Sequence, residues 1–300
     1  MKKKLRWNPI LKKDLMVNSR SMKMSWGIFG FNLLLAVIIL FGMYFLESSA
    51  RYGNYDYAGL VVFFPILGCV EIGFLSLLIP IITSGSISGE RERQTLDIML
   101  TTPIRPFSIA LGKLGSALVL VMMYMCSSIP VLSISFILGG LSIHSLLGLL
   151  FIMLYVGIYV GSVGIFCSSL VKKSISATVL TILIGLGIIL ATGAVFGAVV
   201  SIRSLHIDNY ILSTEPLILM LNPYAPVFEF MLKSTTSMDV YQMVEATRSS
   251  KQLSTGLTFM YKNWLWISGA LNLLVSYIFL KLAATKISAT KNTRRKKKKK

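Results

Sequence analysis

Six long apolar runs constrain this chain more than any other feature. They cover about Trp26–Leu46, Leu60–Ser84, Phe107–Leu138, Ile143–Val171, Ile175–Val200 and Trp264–Leu282. Each reaches the ~20 residues that a helix needs to cross a bilayer. Hydrocarbon offers no partner to a backbone N–H or C=O, so unbroken apolar runs of this length are satisfied as helices. The third and fourth runs exceed one span, which predicts tilt or projecting ends. The fold class is therefore an all-α integral membrane protein with six transmembrane helices. Only 14% of the residues are charged, against about 25% in soluble domains.

The net charge of +18 does not point to nucleic acid. The basic residues sit beside the apolar spans, as the positive-inside rule requires. Residues 1–25, the connector Ser88–Lys113, the pair Lys172-Lys173 and the tail from Lys281 hold most of the 30 Lys and Arg. These four segments fall on one side of a six-span chain, so both termini are expected in the cytoplasm of a multi-pass protein of the cell membrane. Three parts follow: a cytoplasmic N-terminal segment (1–25), a six-span domain (26–284) and a basic cytoplasmic tail (285–300). Ser48-Ser49-Ala50 resembles a signal cleavage site, but the preceding apolar run exceeds a signal h-region. The first span is read as retained.

Within the first segment, Asn8 suits a helix cap and Pro9 the first helical position. Trp7, Leu11, Leu15 and Met22 then form an apolar edge, with Lys12, Lys13, Arg20 and Lys23 opposite. That pattern predicts an interfacial helix against anionic headgroups; a disordered basic arm is the competing reading. The connector Ser201–Asn263 is too long for a simple turn. Leu217–Leu221 and Val227–Leu232 are apolar with a break at Asn222-Pro223, and Thr236 with Asp239 suits a capping box that opens a short helix through Glu245. One or two short helices are expected, with a flexible outer loop as the competing reading. These would lie at, or dip into, the outer leaflet.

Several chemistries lack their residues. Cys69, Cys126 and Cys167 have no metal or redox spacing. His144 and His206 stand alone, so neither a metal site nor a catalytic set is expected. No GxxxxGK[ST] phosphate loop occurs. The chain is read as having no cofactor of its own and no catalytic residue. Glu71 is the one acid deep in a span, and an intramembrane carboxylate is a functional candidate. It would touch substrate, bond across an interface, or sit protonated against a neighbouring helix. Gly157 with Gly161, and Gly193 with Gly197, have the spacing for close helix approach.

The connector Ser88–Lys113 carries the most specific pattern. Leu96, Met99 and Leu100 share one helix face, which suits a groove on a partner or the membrane surface. Glu90, Arg91, Glu92 and Arg93 precede them and are expected to form rim ion pairs with that partner. Gly89-Glu90-Arg91-Glu92-Arg93-Gln94-Thr95-Leu96-Asp97-Ile98-Met99-Leu100, continued by Thr102-Pro103 and Gly112-Lys113, resembles the inner loop of ABC-2 type permeases, the membrane subunits of type-2 ABC exporters. Trp7-Asn8-Pro9-Ile10-Leu11-Lys12-Lys13-Asp14-Leu15 is similar to that family's N-terminal segment. The resemblance implies an ATP-driven exporter in which two permeases, identical or not, pair in the bilayer. Two ABC ATPase subunits, holding ATP and Mg, would dock on a coupling helix between spans two and three. An ion-coupled secondary transporter and a non-transporting scaffold are the alternatives. The apolar faces name no substrate.

Overall fold

The computed structural model describes residues 22–51, 63–96, 105–139, 142–206, 214–236, 238–246 and 254–297. The expected interfacial positions Trp7, Leu11 and Leu15 lie outside them; Met22 lies inside and is exposed. The described residues hold helices and no strand. They are α1 (Met22–Arg51), α2 (Phe63–Glu92), α3 (Pro106–Gly139), α4 (Ile143–Leu170), α5 (Ser174–His206), a 3-10 turn (Glu215–Leu221), α6 (Ala225–Thr236), α7 (Val240–Ala246), α8 (Thr255–Lys262) and α9 (Trp264–Lys297). Six of these, α1 to α5 and α9, are long and apolar enough to cross a membrane.

Helix α4 is the hub of the bundle. It packs on α2, α3, α5, α6 and α9. Glycine makes this possible, because a Cβ at Gly161 would meet Leu114 of α3 and one at Gly164 would meet Thr83 of α2. Gly157 likewise faces Leu118 of α3. The Gly157/Gly161 pair therefore serves packing inside one chain. Gly193 and Gly197 of α5 have no such neighbour among the described residues. A stripe at Ile175, Val179, Leu183, Leu186 and Leu190 leaves one long face of α5 exposed.

Two helix ends run past their apolar runs. Helix α2 continues through Gly85-Ser86-Ile87-Ser88 to Glu92. Ser86 donates to the Thr83 carbonyl and Ser88 to the Ser84 carbonyl, both at 2.6 Å, so the hydroxyls are compatible with a continuing helix. Helix α9 continues from its apolar part to Lys297, so the basic tail begins as helix.

The described residues of the long connector form short helices. The capping box differs from the expected one. Thr236 closes α6, and Asp239 opens α7 by reciprocal bonds with Gln242: the Gln242 amide donates to Asp239 Oδ1 at 2.8 Å, and the Asp239 amide donates to Gln242 Oε1 at 3.1 Å. The Asp-x-x-Gln spacing allows both bonds, whereas Thr236 bonds back to Leu232 of its own helix.

Candidate functional site

The end of α2 is a closed turn. The Gln94 amide donates to the Arg91 carbonyl and the Thr95 amide to the Glu90 carbonyl. These two bonds define a Schellman stop with the left-handed residue at Gln94, whose φ is 58°. A residue other than glycine holds this conformation at some cost.

The turn's charges are directed into the chain's own helices. Glu90 pairs with Lys113 of α3 at 3.3 Å and accepts from the Thr95 hydroxyl. Arg91 donates to the carbonyl of Val171 at 2.9 Å and to that of Ser169 at 3.4 Å. It thus serves the unpaired carbonyls at the C-terminus of α4. Glu92 accepts from the Ser174 amide at 3.0 Å and the Ser174 hydroxyl at 2.7 Å, which places a carboxylate at the N-terminus of α5. Arg93 and Gln94 are exposed.

Of the four charges read as a rim for a partner, Glu90, Arg91 and Glu92 tie the turn to α3, α4 and α5 within the chain, and Arg93 faces outward. Leu96 also faces the chain. It is 3% exposed and packs in a cluster with Ile87, Ile109, Leu114, Ile165 and Leu280. Periodicity marks an apolar face, and here the chain covers that face itself at Leu96. Met99 and Leu100 lie outside the described residues.

A hydroxyl seam runs beneath the turn. Ser168 of α4 accepts from the amides of Ile87 and Ser88 at 2.9 Å each. Ser84 of α2 meets Thr178 of α5 at 2.5 Å. Small polar residues of this kind join helices where no water competes for their bonds.

Glu71 lies eight residues into α2, roughly 12 Å along it, and is fully buried. It accepts from the Ser128 hydroxyl of α3. Its second oxygen, Oε2, has no hydrogen-bond partner among the described residues. Around it stand Leu67, Ile72, Leu75 and Leu132 of one apolar core.

A second polar group escaped the sequence reading. The segment Thr214–Tyr224 enters the far end of the bundle, away from the charged turn, and three long helices hold it. Asn222 Nδ2 donates to Thr192 of α5 at 2.9 Å. Asn272 Nδ2 of α9 donates to the Met220 carbonyl at 3.1 Å. The Tyr224 hydroxyl donates to Ser76 of α2 at 2.7 Å. Glu215, buried, pairs with Arg203 at the end of α5. Thr192 lies fourteen residues inside the end of α5, about 21 Å along that helix. Irregular backbone at membrane depth is stable only when protein groups satisfy it, and these side chains do so. Asn272 is the one carboxamide in the sixth apolar run. The reasoning that singled out Glu71 would have found it.

Among the described residues no three His, Cys, Asp or Glu side chains converge on a common point. Six apolar helices, with a hydroxyl seam joining α2, α4 and α5 and a short segment held by three of the long helices, define a multi-pass helical membrane protein. Residues 46–280 match the family model described as ABC-2 family transporter protein, and the chain belongs to that family. It is thus a membrane permease of an ABC-type transporter. The match agrees with the resemblance read from the inner loop. Among curated proteins, none matches the chain.

Proposed function

We propose that this chain is the permease subunit of an exporter driven by a separate ABC ATPase, which docks on the segment from Glu90 to Leu100. ATP and Mg are held by the ATPase, and this chain supplies the path through the cell membrane. One observation carries the reading: Arg91 and Glu92 fasten the turn to the facing ends of α4 and α5. A push on the exposed Arg93 and Gln94 would reach both helices without crossing a flexible linker. Energy enters as the ATPase's different affinity for two packings of the bundle.

The exposed stripe of α5, with Gly193 and Gly197 beside it, suits a second permease subunit, either a copy of this chain or a related one. Export fits a cytoplasmic position of the charged turn, which follows from the basic residues gathered near it. The test is reconstitution of the full chain with its ATPase in vesicles. Substrate-stimulated ATP hydrolysis that is lost when Arg93 and Gln94 are both changed to Glu supports the reading. Solute transport by this chain alone overturns it.

A further inference from the structure

Helix α6 is seated at the far end of the bundle on two glycines. A Cβ at Gly68 of α2 would meet the methyl of Met231, and one at Gly148 of α4 would meet the ring of Phe230. The missing side chains let α6 lie close against both helices. Val227 and Met231, 6% and 7% exposed, join the core that α2 and α4 share. Phe64 of α2 adds an edge contact with Phe230, ring centroids 6.5 Å apart.

One residue of α6 does not suit an apolar seat. Glu229 is 5% exposed, and its Oε2 has no hydrogen-bond partner among the described residues. An ionised carboxylate held there is costly, because no donor replaces the water it gives up, whereas the neutral acid costs far less. Burial, and then the like charge of Asp239 at the start of α7, push the Glu229 carboxyl up to about 7; Lys233, one turn along α6, offsets this only in part. Helices α2, α4 and α9 and the 3-10 turn also pack against α6. Glu71 of α2 bonds Ser128, Glu215 of the 3-10 turn pairs with Arg203, the Tyr224 hydroxyl bonds Ser76, and Cys69 of α2 and His144 of α4 are exposed. Helix α9 carries no charged residue between Trp264 and Lys281.

We propose that α6 is a proton-operated latch: a proton on Glu229 keeps the helix in its seat on α2 and α4, and loss of that proton lets it lift. The acid gives its proton to water, and the carboxylate that remains moves into solvent as α6 rises. Lifting withdraws Met231 from Gly68 and Phe230 from Gly148, and so uncovers α2 and α4 at this end. The latch stands opposite the charged turn, answers to the pH on its own side of the bundle, and needs no ATPase to act.

The test follows a water-soluble maleimide on the full-length Val227→Cys protein in nanodiscs, with adducts located by mass spectrometry. Met238→Cys, at a position 55% exposed, corrects for ionisation of the thiol itself. Relative to that control, labelling of Val227→Cys is expected to rise about tenfold from near pH 5.5 to near pH 8.5, because the seated helix holds the proton that the lifted one releases. With Glu229→Gln added it should stay low at both values, and with His144→Gln added the rise should persist. The native Cys167, fully buried in α4, should remain unlabelled throughout, which separates lifting of α6 from loosening of the bundle. An unchanged ratio, the same rise with Glu229→Gln, a rise abolished by His144→Gln, or labelling of Cys167 in step with Val227→Cys would each overturn the proposal.

Discussion

Arg91, in the last turn of α2, donates to the carbonyl of Val171, the residue that ends α4, at 2.9 Å. The charged turn is thereby a fixed part of the bundle. Its neighbour Glu92 holds the first residue of α5 in the same way, so one turn governs the angle between two helices.

Removing the first of these ties should uncouple without unfolding. Arg91→Ala leaves the α4 carbonyls without their charged donor, a loss of about 1.5–3 kcal/mol for a hydrogen bond to a charged group. Thermal unfolding of the purified protein should drop accordingly, and ATPase stimulation by substrate should vanish. Arg91→Lys should restore melting only in part, because an ammonium cannot span two carbonyls in the plane of a guanidinium. Full retention of coupling in Arg91→Ala would contradict a tie that transmits force.

Glu71 and Ser128 form a second testable pair. Glu71→Gln keeps the volume and one acceptor, so assembly should survive while transport falls. Unchanged transport by Glu71→Leu would remove any functional role for the carboxyl. Ser128→Ala takes away the hydroxyl that Glu71 accepts from, and leaving such a group unpaired costs about 1–3 kcal/mol. Melting in detergent measures it.

The re-entrant segment should depend on Asn222. Its side chain donates to Thr192 and accepts from the Tyr224 amide. Asn222→Ala therefore strands the Tyr224 amide, at about 1–3 kcal/mol, and removes the tie to α5, where the Thr192 hydroxyl keeps its bond to the Ile188 carbonyl. Met220, now 2% exposed, should become reactive to a water-soluble maleimide when replaced by Cys in the Asn222→Ala background. In the otherwise unchanged protein the same Met220→Cys thiol should stay protected.

Stability should also depend on pH through Glu229. Burial, with Asp239 nearby, pushes its carboxyl up to about 7, and Lys233 offsets this only in part. A raised acid binds more protons folded than unfolded, so folding is favoured below the unfolded value and weakens as pH rises toward 7. Glu229→Gln is expected to melt a few degrees above wild type at pH 8 and level with it near pH 4.5. An equal difference at both pH values would contradict the assignment.

Much of this architecture was legible in the residues, and the reasons for the gaps are physical. Hydropathy identified six spans because a bilayer demands length and apolarity together. It placed the end of α2 too early, since Ser86 and Ser88 read as loop residues until their hydroxyls are seen bonded to the preceding turn. Leu96 shows a different limit: spacing reveals an apolar face, but not whether this chain or a partner covers it. Trp264 and Trp266 stand two positions apart at the start of the sixth apolar run, yet Trp264 is buried on Tyr261 while Trp266 is 77% exposed. The partners of Asn222 and Asn272 lie 30 to 52 positions away in the chain, and no local pattern brings them together.

The central claim is that a separate ATPase grips the turn after α2. Site-specific crosslinking tests it most directly. A photoreactive residue at Arg93 in cells, with products identified by mass spectrometry, should capture a polypeptide bearing a GxxxxGK[ST] loop. The same residue placed at Trp266, at the far end, should not. Capture of that ATPase from Trp266, or no ATPase captured from Arg93 in actively transporting cells, would contradict the account.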